Sequence, residues 1–244
     1  MNIKLIIIDE PIKINSDHNS KALNLWQKTL WAKAKNYSLH YKNSILPIGV
    51  DDFFGAHLVV AEELEDGNLE PIIMFKSVPM HRFKKYHTDL SLNKTLKETN
   101  FKDSIIIKKF MNSDKNVSYY SSFTFNGKYL KHPSRNIFKE YISVLSHAYT
   151  NYYGIKEWIS IAATKYKVDK FFEFNGAKKI HDEFCVKASD YEPVQLYHHN
   201  NTDIVPEKVN ELIKKHQTLI NEINIYSPNG IEFYNQKHKT KSVA

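Results

Sequence analysis

The apolar positions of this chain change their period along its length, from runs of strand length to stripes spaced three and four residues apart. These two periods separate strands from amphipathic helices. Asn2 to Ile8 reads as a first strand, and Asp17 or Asn19 could cap a helix in which Leu23, Trp26, Leu30 and Ala34 share a face. After a turn around Pro47 and Gly49, the runs Ala56 to Glu62 and Pro71 to Val78 flank the turn residues Glu65, Asp66, Gly67 and Asn68, which predicts an antiparallel hairpin. Residues 84–103 are polar and weakly patterned, with a short helix expected from Leu90 to Lys97. Ser104 to Phe110 and Val117 to Phe125 are the next expected strands. A long helix is predicted from Ser134 to Tyr153, with Ile137, Tyr141, Val144, Leu145, Ala148 and Tyr152 on one face and Gly154 closing it.

The most informative stretch follows. Trp158, Ile159, Ile161 and Ala162 form the near-continuous apolar run of a central strand covered on both faces. Lys167 to Phe174 then reads as a helix, with Val168, Phe171 and Phe172 on its buried stripe and Gly176 where a left-handed cap is needed. A strand begins at Ala177 or Lys178 and continues through Cys185 to Lys187, and Pro193 to His198 offers another. A last helix is expected near Asp203, with Pro206 in its first turn and Val209, Leu212, Ile213, Leu219, Ile220 and Ile223 available for packing. No repeat or interior linker divides residues 1–234, which are expected to form one domain. The basic, polar residues 235–244 are expected to be a disordered tail.

Composition narrows the chemistry. The chain is 42% hydrophobic, enough for a sizeable core. Its lone Cys185 excludes an internal disulfide and a cysteine-rich metal site, and is expected to be a core thiol. The apolar run at the N-terminus is too short for a secretory signal, and no stretch approaches the roughly 20 residues of a membrane span, so a cytosolic protein is expected. A net charge of +7 favours an anionic partner: nucleic acid, the phosphates of coenzyme A, or an acidic carrier protein. Lysine is abundant everywhere, which weakens each single lysine as a binding signal. His198 and His199 would point to opposite faces of a strand and make a poor metal pair. Arg82, Phe83, Lys84, Lys85, Tyr86 and His87 mix cations with aromatics as single-strand binders do, but form one short cluster that reads as a solvated loop. Nucleic acid is not the expected partner.

The strand, helix and glycine stop after Gly154 resemble the C-terminal half of the GNAT (Gcn5-related N-acetyltransferase) superfamily. Its pattern there is Asn-x-x-Ala-x-x-Leu-Tyr-Glu-Lys-x-Gly-Phe. In that register stand Lys165, Val168, Phe171, Phe172, Glu173, Phe174, Gly176 and Ala177, of which Glu173 and Gly176 match. The resemblance implies an α/β (α+β) fold, with a mixed, mostly antiparallel central sheet flanked by helices. It also implies acyl-CoA or acyl-carrier protein as co-substrate, with no tightly bound cofactor. Phe172 replaces the Tyr that in the family often protonates the departing thiolate. The family's phosphate turn, Arg/Gln-x-x-Gly-x-Gly/Ala, corresponds to Asn126 to Asn136, which has one glycine, Gly127, and a different spacing. Phosphate would then be bound by the side chains and amides of Ser134, Arg135, Asn136 and Lys139, beside Phe123 and Phe125 of the preceding strand. The other reading is that Ser134 only caps the helix and Arg135 is solvated.

A second stretch, Asp51, Asp52, Phe53, Phe54, Gly55, Ala56, His57, Leu58, Val59, Val60 and then Phe75, Lys76, Ser77, Val78, Pro79, resembles the acyl-homoserine-lactone synthases and N-acyl amino acid synthases. Those relatives show an Asp-Phe-Asp-like segment leading into Ala-x-Tyr-Leu-Val, then a strand ending Arg-Leu-Leu-Pro. Ala56, Leu58, Val59 and Pro79 match, while His57 stands for Tyr and Lys76 for Arg, which keeps the charge but loses the planar fork. The family's Glu and Arg on the following strand are absent from residues 117–125. This resemblance implies acyl transfer from a thioester to a small amine such as an amino acid. Lys76 would bind substrate, Asp51, Asp52, Glu62 or His57 would be the base, and Tyr119 or Tyr120 a replacement acid. Strand amides near Ser122 to Phe125 would polarise the carbonyl. The alternatives are a GNAT-fold binding or regulatory module without catalysis, and a basic nucleic-acid-binding protein.

Overall fold

In the computed structural model, which describes residues 1–40, 48–93, 108, 110, 112, 116–186, 191–200 and 205–234, ten strands join one sheet. They are β1 (Asn2–Asp9), β2 (Ala56–Glu63), β3 (Leu69–Pro79), β4 (Val117–Phe125), β5 (Glu157–Ala163), β6 (Lys178–Lys179), β7 (Phe184–Cys185), β8 (Pro193–Asn200), β9 (Asn224–Ser227) and β10 (Gly230–Phe233). The order is β10-β9-β1-β2-β3-β4-β5-β8-β6, with β7 also on β8. Only β1/β9 and β4/β5 pair in parallel; every other pairing is antiparallel. This is the mixed, mostly antiparallel sheet that the resemblance implies.

The period-2 pleat sends alternate residues of the central strands to opposite helices. Leu5, Ile7, Leu58, Val60 and Phe75 pack with Phe138, Ile142, Leu145 and Tyr149 of α4 (Arg135–Tyr153). Their neighbours Ile6, Ile8, Val59 and Met74 pack with Ala22 and Leu25 of α1 (Ser16–His40). Short helices complete the layers: α2 (Asp51–Phe54), α3 (Met80–Lys85), α5 (Val168–Phe174), α6 (Glu207–Lys215) and α7 (Gln217–Asn221). Gly154 and Gly176 close α4 and α5 at positive φ (63° and 89°). In each case the following amide reaches five residues back, Ile155 to the Thr150 carbonyl and Ala177 to Phe172, as in a Schellman end.

Several expectations are corrected. The single strand foreseen from residue 177 to 187 is two two-residue pieces, β6 and β7, laid separately on β8. Cys185 is exposed rather than a core thiol. The cation and aromatic run from Arg82 is no solvated loop: Arg82 lies in α3, is buried, and grips Asp9 through two bonds of 2.7 and 2.9 Å. The last helix starts at Glu207 and breaks at His216, and β9 and β10 follow it where no strand is foreseen. The strand expected at 104–110 falls largely outside the described residues, though Lys108 and Phe110 are helical. Ser91 to Asn93 begin a helix whose expected remainder, and the tail 235–244, also lie outside them.

Candidate functional site

β4 and β5 pair only from Val117↔Glu157 to Tyr120↔Ser160. Beyond that point β4 stays on β3 and β5 on β8, so the parallel pair forks. At the fork the Ser160 hydroxyl donates to the Tyr120 carbonyl (2.8 Å). Just past it β4 bulges: the register shifts between Met74↔Thr124 and Lys76↔Ser121, so Ser122 and Phe123 face Phe75, and Ser122 takes φ 62°. A bulge re-aims backbone groups and opens a sheet locally. Here it widens the fork into a cavity of about 860 Å³.

Ser121, Ser122, Phe123 and Phe125 wall the cavity on one side, and Ile161 and Ala163 on the other. Phe171 closes against Phe123 (ring centroids 4.7 Å apart), and Phe172, also in the wall, packs on Trp158. Asn36, Tyr37 and His40 of α1 form a polar floor. The start of α4 lies in the wall as well, with Arg135, Asn136 and Lys139, and Lys167, Lys170 and Lys208 stand around it. Burial, and then the charges of Arg135 and Lys167, hold the Lys139 ammonium below its usual range. Ser134 occupies the cap position of α4 without making a side-chain cap bond, and no acidic residue stands in the first turn. The positive end of a 19-residue helix and converging cations thus face one cavity, the arrangement that attracts phosphate.

On the α1 side of the sheet lies a buried charge cluster. His57 and Lys76 are cross-strand partners, and Lys76 in turn pairs with Ser121. Asp52, fully buried, accepts from Lys76 (2.8 Å) and from Lys33 through both oxygens (2.8 and 3.0 Å), and from the Gly49 amide (2.8 Å). Asp51 meets Lys76 at 3.0 Å. Burial alone would raise the Asp52 pKa, but Lys76 and Lys33 overcome it and hold the carboxyl well below the usual range. Burial, and then Lys76, pull Lys33 down to about 8, against Asp52 and Asp51. Burial likewise keeps His57 neutral, at about 4. Its Nε2 lies 2.7 Å from the Asp52 carbonyl and 3.2 Å from the Trp26 indole nitrogen. The Trp26 indole N–H shares that carbonyl at 3.3 Å.

The structure therefore brings Asp51, Asp52, His57 and Lys76 together, and separately gathers Phe123, Phe125, Arg135, Asn136 and Lys139. Glu62 stands apart, about 17 Å along β2 from His57 at the usual strand rise, where it accepts from Tyr129 (2.7 Å). Tyr120 is buried on the α4 face, stacked on Trp158 (4.7 Å, 7°), and is absent from the cavity wall. Lys33 is missing from the sequence reading, although a cation on the same α1 face as Trp26 and Leu30 is the kind of break in an apolar stripe that signals a buried ion pair. His198 and His199 are not the surface pair that such neighbours suggest: His198 meets Glu157 (3.2 Å), while His199 is buried and packs on Trp158. Among the described residues no group of His, Cys, Asp and Glu could hold a metal, and no helix is long and apolar enough to cross a membrane.

The forked parallel pair, the bulge beside the fork and the helix N-terminus facing it belong to a fold that this chain shares with solved acyl-homoserine lactone synthases. The CoA-dependent acyl-homoserine lactone synthase BjaI, determined with SAM and isopentyl-CoA, superposes with a TM-score of 0.54 over 88% of this chain and 89% of its own, at 10% identity. The CoA-dependent synthase MesI gives 0.52 over 88% and 95%, at 10% identity. FeeM, an N-acyl amino acid synthase from uncultured soil microbes, gives 0.50 over 83% and 92%, at 8% identity. No protein-family profile and no curated protein sequence matches the chain. The likeness is one of fold.

Proposed function

We propose that this protein transfers an acyl group from an acyl-CoA or acyl-carrier-protein thioester to the amine of a small molecule such as an amino acid. The observation that carries this reading is the forked cavity, lined by the cations Arg135, Lys139, Lys167, Lys170 and Lys208, whose wall residue Ser122 also borders the charge cluster. Arg135, Asn136 and Lys139, with the free end of α4, would hold the donor's phosphates, while Phe123 and Phe125 flank its thioester arm. The bulge at Ser122 and Phe123 would aim backbone amides at the thioester carbonyl, where negative charge develops as the amine attacks. On the opposite side Asp51, Asp52, His57 and Lys76 would receive the acceptor.

The test is thermal stabilisation by acetyl-, octanoyl- and palmitoyl-CoA against free coenzyme A, followed by thiol release with an amino-acid panel. A Tm shift that grows with one acyl length, together with amine-dependent thiol release, is the expected result. A second reading, a binding module without turnover, is favoured by Phe172, which cannot donate a proton where it stands. Acyl-CoA binding with no thiol release from any amine would establish it.

A further inference from the structure

Two separate voids border the bulge. Besides the large cavity, a water-sized one of about 10 Å³ lies on the α1 side, lined by Lys33, Asp52, His57, Lys76 and Ser122. Ser122 lines both, so an amine at the small void would lie beside a residue that also walls the fork. Tyr37 makes a second link: this half-buried residue lines the cavity, and burial, then Tyr119 and Asp52, keep its phenol protonated.

Aminolysis of a thioester starts from an ammonium and needs a base beside the attacking nitrogen. Asp52 is committed to two lysines and the Gly49 amide, and its carboxylate is held far too acidic to keep a proton. Lys76 is spanned by Asp51 and Asp52, and although burial opposes it, those two charges raise its pKa. Burial holds His57 neutral, at about 4, with its Nε2 engaged between the Asp52 carbonyl and the Trp26 indole. Lys33 meets Asp52 alone among these groups, and Lys76 opposes its charge. Facing it are Asp51 and Asp52 from α2, His57 from β2 and Lys76 from β3, with Tyr119 of β4 beyond, near Asp51.

We propose that Lys33 is the base that takes the proton from the incoming amine in the void beside Ser122, an inference that rests on the acyl-transfer reading above. The acceptor's ammonium gives one proton to the neutral Lys33 amine. Its nitrogen then attacks the thioester carbon, and the carbonyl electron pair moves onto oxygen. Collapse breaks the C–S bond with the pair going to sulfur, and the second nitrogen proton passes to that thiolate. The products are an amide and a free thiol, and the Lys33 ammonium returns its proton to water. The tuning of Lys33 to about 8 suits this role, since a base works best when it titrates near the operating pH.

The experiment combines Lys33→Arg with direct titration of Lys33. In protein labelled with ¹³Cε-lysine, the resonance missing from Lys33→Arg is followed with pH, while kcat and KM for the best donor and amine are measured from pH 6 to 10. Arginine keeps the charge beside Asp52 but cannot give up its proton. The expected results are a Lys33 midpoint near 8, a wild-type kcat that rises through the same midpoint, and a variant with near-wild-type Tm and KM. Its kcat should fall at least about a hundredfold, with the rise near pH 8 gone. A Lys33 midpoint above 10, or a variant that keeps the limb and the rate, overturns the inference while leaving acyl transfer intact. A wild type that releases no thiol with any donor and amine overturns the acyl-transfer reading itself, and the inference with it.

Discussion

At the scale of single residues, the buried charge cluster is the feature most sensitive to change. Two cations and two carboxylates neutralise one another among Lys33, Lys76, Asp51 and Asp52, and removing one partner strands a charge out of water. Asp52→Asn should therefore destabilise the fold by about 3–5 kcal/mol in urea denaturation, far more than loss of an exposed pair. Part of this cluster was legible in the sequence. The Asp66 and Gly67 turn makes a hairpin, and a hairpin places His57 across from Lys76. Lys33 was not, because no local pattern tells which face of α1 meets which strand. Burial also depresses two histidines, His57 and His147, each to about 4, with His199 adding to the effect at His147. In the unfolded chain both titrate near 6.5, so the unfolded state takes up protons first as pH falls. Stability is complete above about pH 6.5 and is lost on the way down to about 4, by up to about 3 kcal/mol for each histidine. Urea midpoints at pH 7.5, 6 and 5 should fall in that order, and His147→Gln should flatten the slope.

At the scale of elements, helix ends were read more securely than strand ends. Gly154 and Gly176 mark α4 and α5 because a left-handed cap is a local demand. The two differ in surroundings. A Cβ at Gly154 meets nothing within 4 Å, while one at Gly176 would lie 3.2 Å from Pro206 and 3.3 Å from His199. Gly154→Ala should cost about 1 kcal/mol for its φ, and Gly176→Ala clearly more, as comparison of their thermal midpoints would show. The division of the 177–187 stretch into β6 and β7, and the presence of β9 and β10, depend on partners distant in sequence. Alternation within four residues carries no record of those partners. The cationic end of α4 is legible in Arg135 and Lys139, whereas the fork itself follows from where β4 and β5 cease to pair, which no residue announces.

For the whole molecule, the proposed donor site ties ligand binding to stability. A donor that binds only the folded state should raise stability by about 2.7 kcal/mol at a hundred times its Kd. Ala163→Trp, placed in the cavity wall beyond the fork, should abolish that acyl-CoA-dependent rise in Tm while shifting the Tm of the free protein little. The sheet also closes over a long span of chain: β1 pairs in parallel with β9, more than two hundred residues later, as in Ile6↔Asn224. On the ribosome, β1 can gain β2 on one side early but must wait for more than two hundred further residues to emerge before its other edge is covered. Until then an apolar strand of three consecutive isoleucines, Ile6 to Ile8, presents open backbone to its surroundings. Synthesis rather than the finished protein is therefore the stage most exposed to aggregation, and the stage at which a chaperone would matter.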